Sequence, residues 1–244
     1  MPSCFAAFGA IAAAIDDPTL AVCRRHFHRD SAPAIVTDVA AKLALQPTDT
    51  LLDIGCGSGS LLLPLAARVR EVWGIDHANF ITRFLAPLAP NHCHLLSGDW
   101  LRYDGPLPTV DAALCYSVVQ YFRSRTEVQR GIDRALTCLR PGGRLLIGDI
   151  PNRSRMARFR RTPAYTSVQA EYEAHRATPL CDEQQRDLLW QQHHGRTVTF
   201  TDRCILQLLR IYRRRGHDAF ILPQPPQLPF GHTREDLLII KGSR

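Results

Sequence analysis

The 244-residue sequence has no unbroken apolar run of about eighteen residues, so no membrane-spanning helix is expected. Its eight cysteines form no C-x-x-C pair. That excludes the usual spacing of a zinc site and gives no disulfide framework. Cys93 and Cys115 fall inside expected strands, so the cysteines read as buried reduced thiols of a cytoplasmic protein. Met1–Ile15 is apolar and alanine-rich, but no basic residue precedes it, so it is read as a packing helix rather than a secretory signal. No internal repeat is visible. No group of carboxylates suggests a metal, and none is expected. Hydrophobic residues make up 45%, enough for one α/β domain with an insertion.

Net charge is +7, and much of the excess is arginine in two clusters. One is Arg153, Arg155, Arg158, Arg160 and Arg161. The other is Arg210, Arg213, Arg214 and Arg215. Such stripes can hold nucleic acid or an anionic small molecule. No aromatic-interleaved RNA motif accompanies them, which favours a solvated face over a nucleic-acid site.

The chain is organised around Thr50–Leu61. Thr50–Ile54 is a short apolar run that reads as a buried parallel strand. Gly55, Gly57 and Gly59 follow at alternate positions, and Leu61–Val69 has helical spacing. Strand, bare loop and helix form the first half of a nucleotide-binding unit. The dinucleotide fingerprint G-x-G-x-x-G does not fit: from Gly55 its third glycine falls on Ser60, and from Gly57 on Leu62. A tight strand-to-helix turn without a ligand would use the same glycines, so the neighbouring segments decide.

Asp53-x-Gly55-x-Gly57-x-Gly59 resembles the D-x-G-x-G-x-G loop of class I S-adenosylmethionine-dependent methyltransferases. Glu71–Asp76 resembles that family's second strand, which ends in an acid that accepts both ribose hydroxyls. Cys93–Trp100 resembles the third, whose terminal acid receives the adenine amine while the next side chain packs on the ring. Leu139–Asp149 resembles the L-x-P-G-G-x-L turn into the fifth strand. The resemblance covers roughly 30–150 and returns at 202–241. It implies a Rossmann-like, seven-stranded, mostly parallel α/β sheet with a helical lid insertion. It also implies an S-adenosylmethionine site of Asp53, Gly55, Cys56, Gly57, Gly59, Asp76, His77, Asp99, Trp100 and Tyr116.

The expected layout has N-terminal helices over 1–45 covering the cofactor side. A cofactor-binding domain spans 46–152 and 201–244, and a lid over 153–200 meets the acceptor. Short helices are expected at 18–29 and 31–45, with Pro223–Pro229 a rigid extended connector. Ligands in open α/β sheets lie beyond the carboxyl ends of strands. Gln120, Tyr121 and Asn152 are therefore candidate acceptor-binding residues. Methyl transfer to oxygen needs a proton removed. His194, His193 and Asp149 are the base candidates. The lid arginines suggest an anionic small-molecule acceptor, such as a sugar or secondary metabolite. The family's looser likeness is to small-molecule methyltransferases of bacterial biosynthesis. An RNA or protein methyltransferase and a non-catalytic cofactor-binding scaffold stay open, as does a homodimer. Tyr116-Ser-Val-Val stands where base-nitrogen methyltransferases carry N-P-P-[YF], which weighs against RNA.

Overall fold

A computed structural model describes residues 3–177 and 179–243. Met1 and Pro2 of the expected leading helix lie outside them. Seven strands form one sheet: β1 (Thr50–Ile54), β2 (Glu71–Asp76), β3 (Cys93–Ser97), β4 (Val110–Tyr116), β5 (Leu139–Pro151), β6 (Asp218–Pro223) and β7 (Arg234–Ile240). Their order is β3-β2-β1-β4-β5-β7-β6. Neighbours among β1 to β5 pair in parallel, whereas β7 runs antiparallel to both β5 and β6. The chain reverses sheet direction after β3, which places a crevice beyond the carboxyl ends of β1 and β4.

The apolar run of β1 is buried throughout because both sheet faces are covered. Its side chains alternate: Leu52 and Ile54 join one core, Leu51 the other. Helices α1 (Cys4–Ala14), α2 (Pro18–Ala21), α3 (Ala32–Leu43), α4 (Leu62–Ala66) and α5 (Ala78–Phe80) precede α6 (Arg125–Cys138). The α6 residues Val128, Ile132 and Ala135, at helical spacing, enter the Leu52 core, whereas Ile35, Val36 and Val39 of α3 enter the Leu51 core. A third cluster joins Ile11 and Ile15 to Leu20, Phe80 and Phe84, fastening the N-terminus over the sheet's end.

The expected helix over 18–29 is cut short. Asp17 caps the N–H groups of Thr19 and Leu20, but Cys23 then takes a left-handed φ of 58° and ends the turn. A 3-10 turn, His26–Ser31, leads into α3. The lid contains α7 (Arg153–Phe159), α8 (Ala164–Arg176) and α9 (Cys181–His193), and α10 (Asp202–Arg214) returns to the sheet. The connector after β6 is not extended. Backbone bonds from Leu228 to Pro225, Gly231 to Leu228 and Thr233 to Phe230 fold it into successive turns. Its prolines fix φ but leave these neighbouring donors free to close turns. Among the described residues no helix is long and apolar enough to cross a membrane.

Candidate active site

The glycine loop turns sharply because its backbone is left-handed at Gly55 (φ 75°) and Gly57 (φ 54°). A Cβ on Gly57 would stand 2.7 Å from Val22 of the N-terminal segment, and one on Gly55 would stand 2.4 Å from Val118. The loop therefore runs bare between two elements and faces a cavity. Asp53, Gly55, Cys56 and Gly57 line that cavity, as do Asp76 and Asp99. Phe5 and Phe8 of α1 and Arg24 and His28 of the N-terminal segment also line it.

Asp76 is positioned by the loop it serves. One carboxylate oxygen accepts the Gly57 N–H at 2.7 Å, and the other accepts the His77 N–H at 2.6 Å. Each oxygen has a second lone pair for a ligand hydroxyl. Burial pushes the Asp76 carboxyl up to about 6, against the pull of the His77 and Gly57 N–H groups. Burial, and then the charge of Asp76, pushes Asp53 up to about 8. Two buried acids across a bare loop call for hydrogen-bond donors or positive charge. Asp99 accepts the Leu101 N–H at 3.0 Å and also lines the cavity.

The other expected cofactor residues divide. Tyr116 lines the cavity, and its hydroxyl accepts from Gln224 at 3.1 Å. Trp100 lines it too, but its ring is buried in the core and its N–H donates to Gly131. Gly59 and His77 are not lining residues. Gly59 makes room for Leu85, and His77 caps α5 by accepting the Asn79 N–H. Cys56 is buried, and burial raises its thiol well above the ordinary range.

On the acceptor side, Tyr121 lines the cavity and Gln120 does not. Gln120 donates to Ser117, while its own carbonyl oxygen is buried without a partner. Asn152 is 2% exposed and caps α7. It donates to Asp202 and Glu235, so its side chain is fully engaged in the lid hinge. Asp149 is also outside the lining. It is buried with a left-handed φ of 59°, and its backbone N–H donates to Asp236. Its carboxylate lies 3.9 Å from Arg24 and 3.5 Å from Arg234, with one oxygen lacking any hydrogen bond. His193 and His194 are exposed and do not line the cavity, where sequence had placed the base. The reason is local: α9 ends there, and His194 stacks on Trp190 and bonds its carbonyl.

The lid arginines do not converge on the cavity either. Arg155 binds Glu235 and the His232 carbonyl, and Arg158 pairs with Asp202. The basic residues that reach the site come instead from elsewhere, among them Arg24 and His28, which sequence reading passed over. The signal was the run Arg24-Arg25-His26-Phe27-His28-Arg29, dense in ionisable groups within an otherwise apolar N-terminus.

The N-terminal segment and the lid are fastened together. Glu183, 1% exposed, accepts from the His26 N–H and imidazole and from Arg25. Burial raises its pKa, but these three donors outweigh it and hold the carboxyl below its usual range. Arg25 and Arg186 both donate to Asp187, and Arg186 also bonds the Arg24 carbonyl. Among the described residues no three His, Cys, Asp or Glu side chains gather as a metal site.

Comparison with known proteins agrees with this geometry. Residues 51–143 match the model of the methyltransferase domain family. The chain is 35% identical over 105 residues to a probable non-canonical nonribosomal peptide synthetase, CymA, of Salinispora arenicola, covering 41% of this chain and 1% of that protein. It is 36% identical over 118 residues to chondramide synthase cmdD of Chondromyces crocatus, covering 45% and 3%. The chain thus matches only a small fraction of the length of these relatives. Among solved structures, N-methyltransferase NodS from Bradyrhizobium japonicum, in complex with S-adenosylhomocysteine, superposes with a TM-score of 0.61 at 16% identity, covering 97% of both chains. Residues 51–143 thus match a methyltransferase domain, and the chain as a whole shares the fold of that solved methyltransferase. Its site fits S-adenosylmethionine: Asp76 and Asp99 line the cavity with lone pairs free for ribose and adenine donors.

Proposed function

We propose that this chain transfers a methyl group from S-adenosylmethionine to an oxygen or nitrogen of a small molecule. The observation that carries the reading is the pair of buried acids, Asp53 and Asp76, flanking a glycine loop inside a lined cavity. The bound cofactor supplies a sulfonium methyl that an acceptor lone pair attacks in line with the departing sulfur. The protein's contribution is alignment and exclusion of water.

In this reading Asp76 accepts the ribose hydroxyls and Asp99 the adenine amine. Arg24 binds the amino-acid carboxylate, since its guanidinium lines the cavity without a hydrogen bond in the protein among the described residues. Asp149 acts through Arg24 as a positioning residue. Phe5 and Phe8 roof the nucleoside and keep it dry. Of the three histidines only His28 lines the cavity, where it offers the acceptor an Nε2 hydrogen-bond donor rather than a base. The two synthetase relatives support a biosynthetic role. With no lid arginine lining the cofactor cavity, the lid gives little support to an anionic acceptor.

The test is Asp76→Ala titrated calorimetrically with S-adenosylhomocysteine. Loss of charge-assisted hydrogen bonds is expected to weaken binding about 10-fold or more. Unchanged affinity in a variant that melts as the parent does would overturn the assignment.

A further inference from the structure

A second cavity, of about 310 Å³, opens between the lid, the N-terminal segment and the β6–β7 connector. It shares two lining residues with the cofactor cavity, His28 and Tyr121, so the two chambers meet there. We propose that this chamber holds the methyl acceptor and that the acceptor is a hydroxylated aromatic ring. The proposal rests on the methyltransferase reading above and names the substrate class of that site.

The walls are rings. Tyr121 and Trp190 meet edge to face at 5.5 Å, and His28 and Phe230 do so at 5.1 Å. Tyr172 stands 6.0 Å from Phe230 and 6.5 Å from His28. A planar guest gains edge and face contacts from such walls that a saturated guest of equal size does not. The volume is at the lower end for small-molecule sites, roughly 300 Å³ upward, and suits one or two fused rings.

The charges present cancel one another. Arg25 and Arg186 both donate to Asp187, and Arg25 also pairs with Glu183. Among the described lining residues no cation is left unpaired for a phosphate or carboxylate. The same two arginines disfavour an ammonium guest, although aromatic walls would otherwise welcome one. What remains is a neutral ring.

The polar groups left over sit where the chambers join. The Tyr121 hydroxyl has no hydrogen-bond partner in the protein among the described residues, while its ring is clamped by Phe8 and Trp190. Nδ1 of His28 accepts the Arg25 N–H at 3.4 Å. The neutral ring then carries its proton on Nε2, as a donor. Burial first, then the charges of Arg24 and Arg25, push the His28 pKa down to about 4, so it is neutral at physiological pH. A donor and a hydroxyl at the junction suit an acceptor oxygen presented to the cofactor side.

The experiment uses the full chain saturated with S-adenosylhomocysteine, titrated calorimetrically with 2-naphthol and with decahydro-2-naphthol, its saturated counterpart. The expected result is that 2-naphthol binds about 10-fold more tightly, as one or two aromatic contacts would give. Tyr172→Leu keeps apolar bulk on a half-exposed helix. It is expected to cut 2-naphthol affinity several-fold while leaving decahydro-2-naphthol and S-adenosylhomocysteine unaffected. Equal or tighter binding of the saturated alcohol overturns the proposal, as does no binding of 2-naphthol to its solubility limit. A Tyr172→Leu variant that still discriminates fully overturns it too. Failure of the parent protein to hold S-adenosylhomocysteine removes the methyltransferase reading, and this proposal with it.

Discussion

The carboxyl end of the sheet and the cover above it are built by different physics. At the sheet, position is set by local sequence. Asp53, Gly55 and Gly57 lie within five residues, and Asp76 is tied to the same loop by one backbone hydrogen bond. In the cover, position is set by pairs far apart in the chain. Arg25 meets Glu183 across 158 residues, and Arg186 meets the Arg24 carbonyl across 162. The sheet builds its site from backbone geometry, whereas the cover builds its walls from ion pairs and ring contacts. The first tolerates little change of shape, and the second little change of charge.

The largest test breaks the cover alone. Arg25→Ala leaves Glu183 buried with only His26 to offset its charge. Removing one partner of a buried pair costs about 3–5 kcal/mol in cooperative units. Here His26 compensates in part, so a loss of about 2–3 kcal/mol is expected in urea unfolding. Faster proteolysis within α8 and α9 is expected alongside it. Equal stability with unchanged cleavage would show that the cover does not depend on this pairing.

A smaller test probes the sheet side through pH. Burial raises the folded Asp53 pKa to about 8, far above the ordinary aspartate value of about 4. The folded state therefore binds more protons than the unfolded state between those values, so stability from this group is full below pH 4. It is lost as pH rises through about 8. Asp53→Asn removes that loss. The variant is expected to gain about 1 kcal/mol or more over the parent at pH 8.5 and nothing near pH 4, as read by denaturant unfolding of the cofactor-free protein. A gain that is flat with pH would mean that the Asp53 charge is not what burial opposes.

The smallest effect is expected at the lid's exposed end. His194→Ala should leave S-adenosylhomocysteine affinity unchanged within error and stability within about 0.5 kcal/mol. A clear fall in either would return that histidine to the working surface.

The same contrast explains what could be read from sequence. The strand positions and the glycine loop follow from short-range apolar spacing and left-handed turns, whereas the seven-stranded sheet was implied by the family resemblance. Asp53, Asp76 and Asp99 were legible as cavity residues because each lies at or near the carboxyl end of a parallel strand. Trp100 was half legible: its place was right, but its indole found Gly131 and the core. His193 and His194 were legible as a lid feature and wrong as a site feature. Nothing local says which way a helix end faces, and Trp190 supplied a nearer partner. The proline-rich connector misled because its composition suits an extended chain, while tertiary contacts folded it into turns that bury Gln224. Arg24 and His28 stayed hidden because their roles depend on where the N-terminal segment docks, a matter of long-range packing.

Helix α1 is a roof as well as a cap: its Phe5 and Phe8 stand over the space that a nucleoside would fill. A spent nucleoside that leaves past α1 must wait until that roof lifts away from α5 and α9. The tempo of repeated cycles would be governed by a door rather than by bond-making. The length of the pause would be written in how firmly an alanine-rich helix grips its neighbours.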